Sequence, residues 1–346
     1  MSSLNEFLSQ LHNSLSKKPR VIVSGNDSAD LDSIISSLLF AYFSHQQDPD
    51  KIYIPVVKVP RNDLELRPEL KYVFEQVGLD YHQLVCLEEI PKTGELVLID
   101  HNHATEPFQD WPVVGVLDHH VDEGFYRTIA LRRIEMVGSC VSLVLDHFPH
   151  VSLDTTVARL AAAPLLVDTV NLRWELGRTK ELDVHTLDRL KPAAGDLEGY
   201  FEAIEKVKSQ VDRMSTTHIL RRDYKQFQVG PYRIGTSAVT WHFQGWFERE
   251  KGSEPITSTA LAFAKERDLD LEIIFTAFDH GQGNYKRQLA VFILNDDLLP
   301  LKKAIEESKE IQLAPITEGC YYEQGNIRMS RKQVWPWVKQ WIEGII

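Results

Sequence analysis

Cysteine is scarce: the chain holds three among 346 residues, Cys86, Cys140 and Cys320, an odd number with no Cys-x-x-Cys spacing. That excludes a disulfide framework and a thiolate zinc cluster, and it predicts reduced thiols in a cytoplasmic setting. Long apolar runs are also missing. The stretch 34–43 is broken by serines and falls far short of the roughly 20 residues a membrane helix needs, so no membrane partner is expected. The first residues, Met1-Ser2-Ser3-Leu4-Asn5-Glu6, carry no basic segment ahead of an apolar core, and no secretory leader is expected. Nor is there a positive excess: the formal net charge is −12, which argues against nucleic acid as a partner. Basic residues still cluster locally, at Arg132-Arg133, Arg221-Arg222 with Lys225, Lys286-Arg287, and Arg328 with Arg331 and Lys332, so an anionic substrate stays open. The 43% hydrophobic and 25% charged content is that of a folded globular protein long enough for two domains.

What is present is acid placed just after apolar runs. Val21-Ile22-Val23 leads into Gly25-Asn26-Asp27-Ser28-Ala29-Asp30-Leu31-Asp32-Ser33, and Leu96-Val97-Leu98-Ile99 leads into Asp100-His101-Asn102. Asp118-His119-His120, Gly138-Ser139-Cys140 and Asp168-Thr169-Val170-Asn171 follow further on. Ligands of open α/β folds gather where parallel strands end. Carboxylates aimed into one crevice repel unless cations neutralise them. Taken singly, Asp30-x-Asp32 is explained equally well as an acidic helix start. As an ordered set, the segments predict a site for two divalent metals. Asp30 and Asp32 each face a different ion, Asp100 bridges them, and His119 and Asp168 complete the second ion's shell. Oxygen ligands with one imidazole suit Mg²⁺ or Mn²⁺, with Co²⁺ possible in vitro. Two such ions would share a hydroxide and clamp a phosphoryl group.

The pattern over the first 190 residues is βαβ. Strands are expected at 20–24, 51–59, 95–99 and 113–117, and helices at 31–45, 68–77, 139–147, 155–166 and 180–190, before Pro192-Ala193-Ala194-Gly195-Asp196 interrupts. Residues 1–195 therefore read as a parallel-sheet α/β domain with helices on both faces. A polar helix over 197–214, within a connecting segment 196–214, is expected to lead into a smaller α+β domain over 215–346. That domain is expected to have strands at 225–229, 232–236, 270–278 and 287–293 and helices at 241–249 and 255–267. Gly281-Gln282-Gly283 suggests a hairpin turn. Trp335, Trp337 and Trp341 are expected to pack in the core, and Gly138-Ser139 to shape a turn and cap a helix.

The five segments together resemble the DHH phosphoesterase superfamily, named for the triplet found here at Asp118-His119-His120. Asp223-Tyr224-Lys225-Gln226-Phe227 and Ser330-Arg331-Lys332-Gln333-Val334-Trp335-Pro336 are similar to the two second-domain signatures shared by family II pyrophosphatases, fungal-type exopolyphosphatases and prune proteins. Family II pyrophosphatases place a histidine ligand where this chain has Asn26; the exopolyphosphatase and prune branches resemble it in having asparagine. Prune-type proteins often alter the second histidine of the triplet, and His120 is intact.

The resemblance implies an exopolyphosphatase, which removes terminal phosphate from inorganic polyphosphate by attack of a metal-bridging hydroxide. It implies Asn26, Asp30, Asp32, Asp100, His119 and Asp168 as metal ligands. His120 would act on the leaving-group oxygen, Asp118 and Asn102 would orient the ligands, and Lys225, Arg331 and Lys332 would hold phosphate oxygens as the two domains close. The alternatives are an inorganic pyrophosphatase or short-chain polyphosphatase, a nucleotide phosphohydrolase, and a prune-like regulatory scaffold.

Overall fold

A computed structural model describes residues 3–17, 20–90, 92–279, 283–317 and 319–344. The chain divides into two compact units, Met1–Lys208 and Ser209–Ile346.

In the first unit the elements run α1 (Leu4–Ser14), β1 (Arg20–Ser24), α2 (Leu31–Gln47), β2 (Ile52–Val57), α3 (Pro68–Gln76), β3 (Val85–Cys86), β4 (Glu95–Ile99), β5 (Val113–Asp118), β6 (Leu131–Ile134), α4 (Cys140–His147), α5 (Thr155–Asp168), α6 (Glu181–Ala194) and α7 (Tyr200–Lys208). The strands form one sheet in the order β3-β2-β1-β4-β5-β6, and every pairing is parallel. Val21, Ile22, Val23 and Ser24 of β1 are all buried, as are Leu96 to Ile99 of β4. Successive side chains point to opposite faces, so both faces of the central strands are covered. Each large aliphatic chain buried this way contributes about 1.5–3 kcal/mol. α2 is buried from Leu31 to Ser44, with Ser33, Ser36 and Ser37 small enough to let it lie close to α4 and α5. From β1 the chain moves outward to β2 and β3, then returns to β4 on the other side. Connections leaving β1 and β4 therefore diverge, and a crevice opens at their carboxyl ends.

Some elements differ from expectation. α6 passes through Pro192 and ends only at Gly195, whose φ of 71° places it in the left-handed region. The helix over 197–214 is confined to Tyr200–Lys208, and a 3₁₀ turn at Val211–Arg213 follows.

The second unit contains α8 (Thr216–Arg222), β7 (Tyr224–Val229), β8 (Tyr232–Val239), α9 (Phe243–Glu250), α10 (Glu254–Glu266), β9 (Leu271–Asp279), β10 (Tyr285–Ile293), α11 (Leu299–Glu306), β11 (Leu313–Pro315), β12 (Tyr321–Gln324) and α12 (Arg331–Glu343). Its sheet is mixed, in the order β11-β12-β10-β9-β8-β7. Only the β8–β9 pairing, which α9 and α10 bridge, is parallel among the described residues. Side-chain alternation divides its core in two. Ile273, Phe275, Leu289 and Val291 pack with Val334, Val338 and Ile342 of α12. Ile274, Ala290 and Phe292 pack with Phe243, Trp246 and Phe263 of α9 and α10. Trp335, Trp337 and Trp341 pack against the first of these clusters. Residues 281 and 282 of the expected hairpin turn lie outside the described residues.

Candidate metal centre

Three strand ends and two helix ends meet at the crevice of the first unit. Asp30 and Asp32 open α2, Asp100 follows β4, Asp118 ends β5, His119 comes next, and Asp168 ends α5. Asp100 is 2% exposed and has a φ of 66°, a left-handed conformation uncommon for a residue with a side chain. Asn26 Nδ2 and Ser33 Oγ each donate to its Oδ2 at 2.7 Å. Its Oδ1 receives no donor of that kind and faces His119 Nε2 at 3.1 Å and His120 Nδ1 at 3.5 Å.

The protons on those rings decide what the site can hold. His119 Nδ1 lies 3.0 Å from the carbonyl of Val137, so that nitrogen carries the hydrogen and donates. In the neutral ring, Nε2 then presents a lone pair to Asp100 Oδ1, with Asp32 Oδ2 3.9 Å away. Lone pairs facing one another at this distance repel, and a cation between them turns the repulsion into ligation. His120 Nδ1 sits 2.8 Å from Asp118 Oδ1 and shares its hydrogen with that carboxylate, so Nδ1 is not a free ligand atom. Ligand atoms of Asp100, His119 and His120 lie within 4.8 Å of one another.

The outer carboxylates are tuned by their surroundings. Burial pushes Asp100 up to about 6; Asp30 and Asp32 add to this, and His119 opposes it. Burial likewise raises Asp168 well above the carboxylate range, with Asp32 and Asp30 reinforcing. Burial also acts to raise Asp118, but hydrogen bonds from His120 and Asn102 outweigh it and hold that carboxyl far below its usual range. His101 is pushed down to about 4 by burial and by Lys58, which leaves it neutral.

One outcome follows for metal binding. A metal held by Asp100 would displace its proton, so Mn²⁺ affinity should fall as pH drops through about 6, by up to ~10-fold per pH unit for one proton. The folded chain holds this proton more tightly than the unfolded one. The metal-free protein should therefore lose stability as pH rises from the ordinary carboxyl range through about 6, and a bound metal would restore it. Calorimetric titration with Mn²⁺ either side of pH 6 checks this, and a pH-independent affinity would remove Asp100 from the ligand set.

Hydrogen bonds fix several of the residues picked out from the sequence. Asn26 Oδ1 is engaged by Ser28 through N and Oγ, at 2.9 and 2.8 Å, while its amide nitrogen orients Asp100. Ser139 occupies the N-cap position of α4 but makes no side-chain cap bond. Asp32 does that work from α2, accepting from Cys140 N at 2.6 Å and Val141 N at 3.1 Å, with Ser36 Oγ at 2.8 Å. Asn102 donates to Asp118 Oδ2 at 2.5 Å and receives Glu123 N at 2.8 Å, tying two loops to the DHH segment.

Sequence reading missed Ser33, and it missed Asp183. Asp183 is fully buried and accepts from Gly138 N, Lys180 N and Ser142 Oγ at 2.7–2.8 Å. Gly138 is required there, because a Cβ would come within 2.5 Å of Thr169 Cγ2 and 2.7 Å of Asp183 Oδ2. Spacing alone signals neither residue.

Lys225, Arg331 and Lys332 belong to the second unit. Lys225 is half-buried in β7, and Lys332 is exposed in the first turn of α12. Arg331 opens α12, where its Nη2 lies 2.7 Å from Asp223 Oδ1 and its Nη1 donates to Asp223 O at 3.0 Å.

A parallel α/β unit with an acidic, imidazole-bearing crevice, followed by a mixed-sheet unit, is the arrangement that the resemblance to DHH phosphoesterases implies. The DHHA2 domain family matches residues 202–341. It is 28% identical over 343 residues to mouse exopolyphosphatase PRUNE1, covering 92% of this chain and 74% of that one. A Schizosaccharomyces pombe protein named "putative exopolyphosphatase" is 29% identical over 348 residues, covering 91% and 88%. The crystal structure of the Methanococcus jannaschii "putative family II inorganic pyrophosphatase" shares the fold, with a TM-score of 0.68 at 20% identity, over 93% of this chain and 99% of that one.

Proposed function

We propose that this chain is an exopolyphosphatase that hydrolyses the terminal phosphoanhydride of inorganic polyphosphate. The observation that carries the reading is the pair His119 Nε2 and Asp100 Oδ1, an imidazole nitrogen and a carboxylate oxygen 3.1 Å apart in a buried acidic crevice. The names of the relatives at 28–29% identity support the phosphoanhydride as the bond broken.

Asp30, Asp32, Asp100, His119 and Asp168 would hold divalent cations. Mg²⁺ or Mn²⁺ suits this oxygen-rich set, and Co²⁺ would substitute in vitro. When bound, the ions supply Lewis-acid activation of water and neutralise phosphoryl charge. The chain's own residues do the rest. Asp118 fixes the orientation of His120 through the 2.8 Å bond to Nδ1, so the other ring nitrogen is left to carry a proton to the leaving oxygen. Asn26 and Ser33 hold Asp100 in its strained conformation, which spares that reorganisation during turnover. Lys225, Arg331 and Lys332 would bind phosphate oxygens. Arg331 has five N–H donors and spends two in its bonds with Asp223, leaving three for an anion.

The testing experiment is orthophosphate release from polyphosphate, tripolyphosphate and pyrophosphate with Mg²⁺ and with Mn²⁺. Long-chain polyphosphate should be cleaved. Release from pyrophosphate alone would replace the reading with a pyrophosphatase, and no release would favour a scaffold role. Arg331→Ala should lower kcat/KM by ~10- to 1000-fold, or ~1.4–4 kcal/mol. Mn²⁺ affinity without substrate should stay unchanged, since a guanidinium cannot ligate a cation. A variant with normal polyphosphate kinetics would remove Arg331 from the substrate site.

A further inference from the structure

Two buried cations hold the loop that joins β1 to α2, and neither belongs to the ligand set. Arg67 is 2% exposed. Its Nη2 and Nε donate to the carbonyls of Ser28 and Ala29, each at 2.5 Å, and its Nη1 donates to Asp63 O at 2.7 Å. Ala29 needs such support because its φ of 45° lies in the left-handed region. Lys58 follows β2 and is 7% exposed. Its ammonium lies 2.5 Å from Asp27 Oδ1 and also donates to Thr105 Oγ1. Thr105 directs its own hydrogen to the Asp27 carboxylate, at 2.9 and 3.2 Å from the two oxygens. A triangle thus spans three pieces of chain: the loop carrying Asn26 and Asp30, the end of β2, and the segment from Asp100 to Thr105.

Lys58 is buried while the Asp27 side chain is 32% exposed; such a pair is a weak stabiliser compared with apolar packing, and its attested use is to specify one arrangement. Here the arrangement is the separation between two ligand-bearing segments that leave β1 and β4. We propose that Lys58 is a positioning residue of the metal centre, acting through Asp27 and Thr105 to fix the loop bearing Asp30 and Asp32 against the segment bearing Asp100. The inference rests on reading the crevice as a metal site and does not depend on which phosphoanhydride is the substrate.

The sign of the effect separates positioning from charge. Lys58 is a cation, so if it acted only through its field, removing it would tighten divalent-metal binding. If it positions ligands, removing it loosens binding. Outer partners of metal ligands typically cost 10–100-fold when lost.

The experiment measures Mn²⁺ affinity by calorimetry and metal-free thermal unfolding for the unmutated chain, Lys58→Met, Thr105→Ala and Thr105→Ser. Lys58→Met should weaken Mn²⁺ binding by ~10–100-fold. Thr105→Ala should weaken it by ~2–10-fold, the value of one net hydrogen bond, and Thr105→Ser should restore it by returning the hydroxyl. Tighter or unchanged Mn²⁺ binding in Lys58→Met would overturn the proposal. So would a Thr105→Ala variant that melts earlier yet binds Mn²⁺ normally. If Lys58→Met does not fold, the Thr105 pair decides, because its change leaves no buried charge without a counter-ion. An unmutated chain that binds Mn²⁺ but releases no orthophosphate would refute the substrate reading and leave this inference standing; one that binds no Mn²⁺ would refute both.

Discussion

Asp100→Asn should leave a folded protein with turnover reduced by at least ~10³-fold, equivalent to about 4 kcal/mol. The reason lies in the two halves of this carboxylate. Oδ2 accepts from Asn26 and Ser33, and an amide oxygen can take over both bonds. Oδ1 faces His119 Nε2 at 3.1 Å, and in the neutral ring whose Nδ1 donates to Val137 that nitrogen presents a lone pair. An amide nitrogen placed there donates to that lone pair, so a proton fixed in the side chain fills the place a cation would take. The substitution thus relieves the buried charge while closing the site. Without metal, the variant should unfold at a higher temperature than the unmutated protein. Added Mn²⁺ should stabilise the unmutated protein and leave the variant unmoved. Retention of more than roughly a tenth of the activity at saturating Mg²⁺, far above the loss expected from removing a metal ligand, would end the assignment of Asp100 as central ligand.

His120→Ala should lower kcat by ~10²–10⁴-fold, the range for a positioned general acid, with Mn²⁺ affinity nearly unchanged. The ring's Nδ1 is committed to Asp118 at 2.8 Å, and Asp118 stays ionised because hydrogen bonds from His120 and Asn102 outweigh its burial. That pairing leaves His120 suited to proton delivery. Added imidazole should return part of the lost rate, since the deleted ring leaves room beside Asp118. A fall in Mn²⁺ affinity as large as the fall in rate would make His120 a ligand instead.

The placement of the candidate ligands was legible because the fold writes it into local pattern. Asp100 and Asp118 each close an apolar strand, Asp30 and Asp32 open the helix after one, and a parallel sheet gathers such ends in one place. The partners that hold the ligands were not legible. Ser33, Lys58, Thr105 and Asp183 are ordinary residues in sequence, and each acquires its role from a partner 31 to 78 positions away. Ser139 shows the converse. It has the right residue type for a cap, yet Asp32, reaching across from α2, satisfies the helix first.

The fold was misread where local signals were weak or misleading. β6, Leu131-Arg132-Arg133-Ile134, is a half-exposed edge strand with two arginines and no apolar alternation to reveal it. β3 has only two residues. Pro192 suggested a break, but α6 continues through it to Ala194.

The order of strands also has a consequence during synthesis. β1 emerges from the ribosome early but ends in the middle of the sheet, between β2 and β4. It cannot be paired on both sides until Ile99 has been made. The set of candidate metal ligands is completed only by Asp168, at the end of α5. Until then the nascent chain carries Asp30, Asp32 and Asp100 as separate acids with no common pocket. At roughly 5–20 residues per second, that interval lasts many seconds. With these residues as ligands, metal loading would be an event of the finished first unit, and any fragment that stops short of Asp168 should remain metal-free.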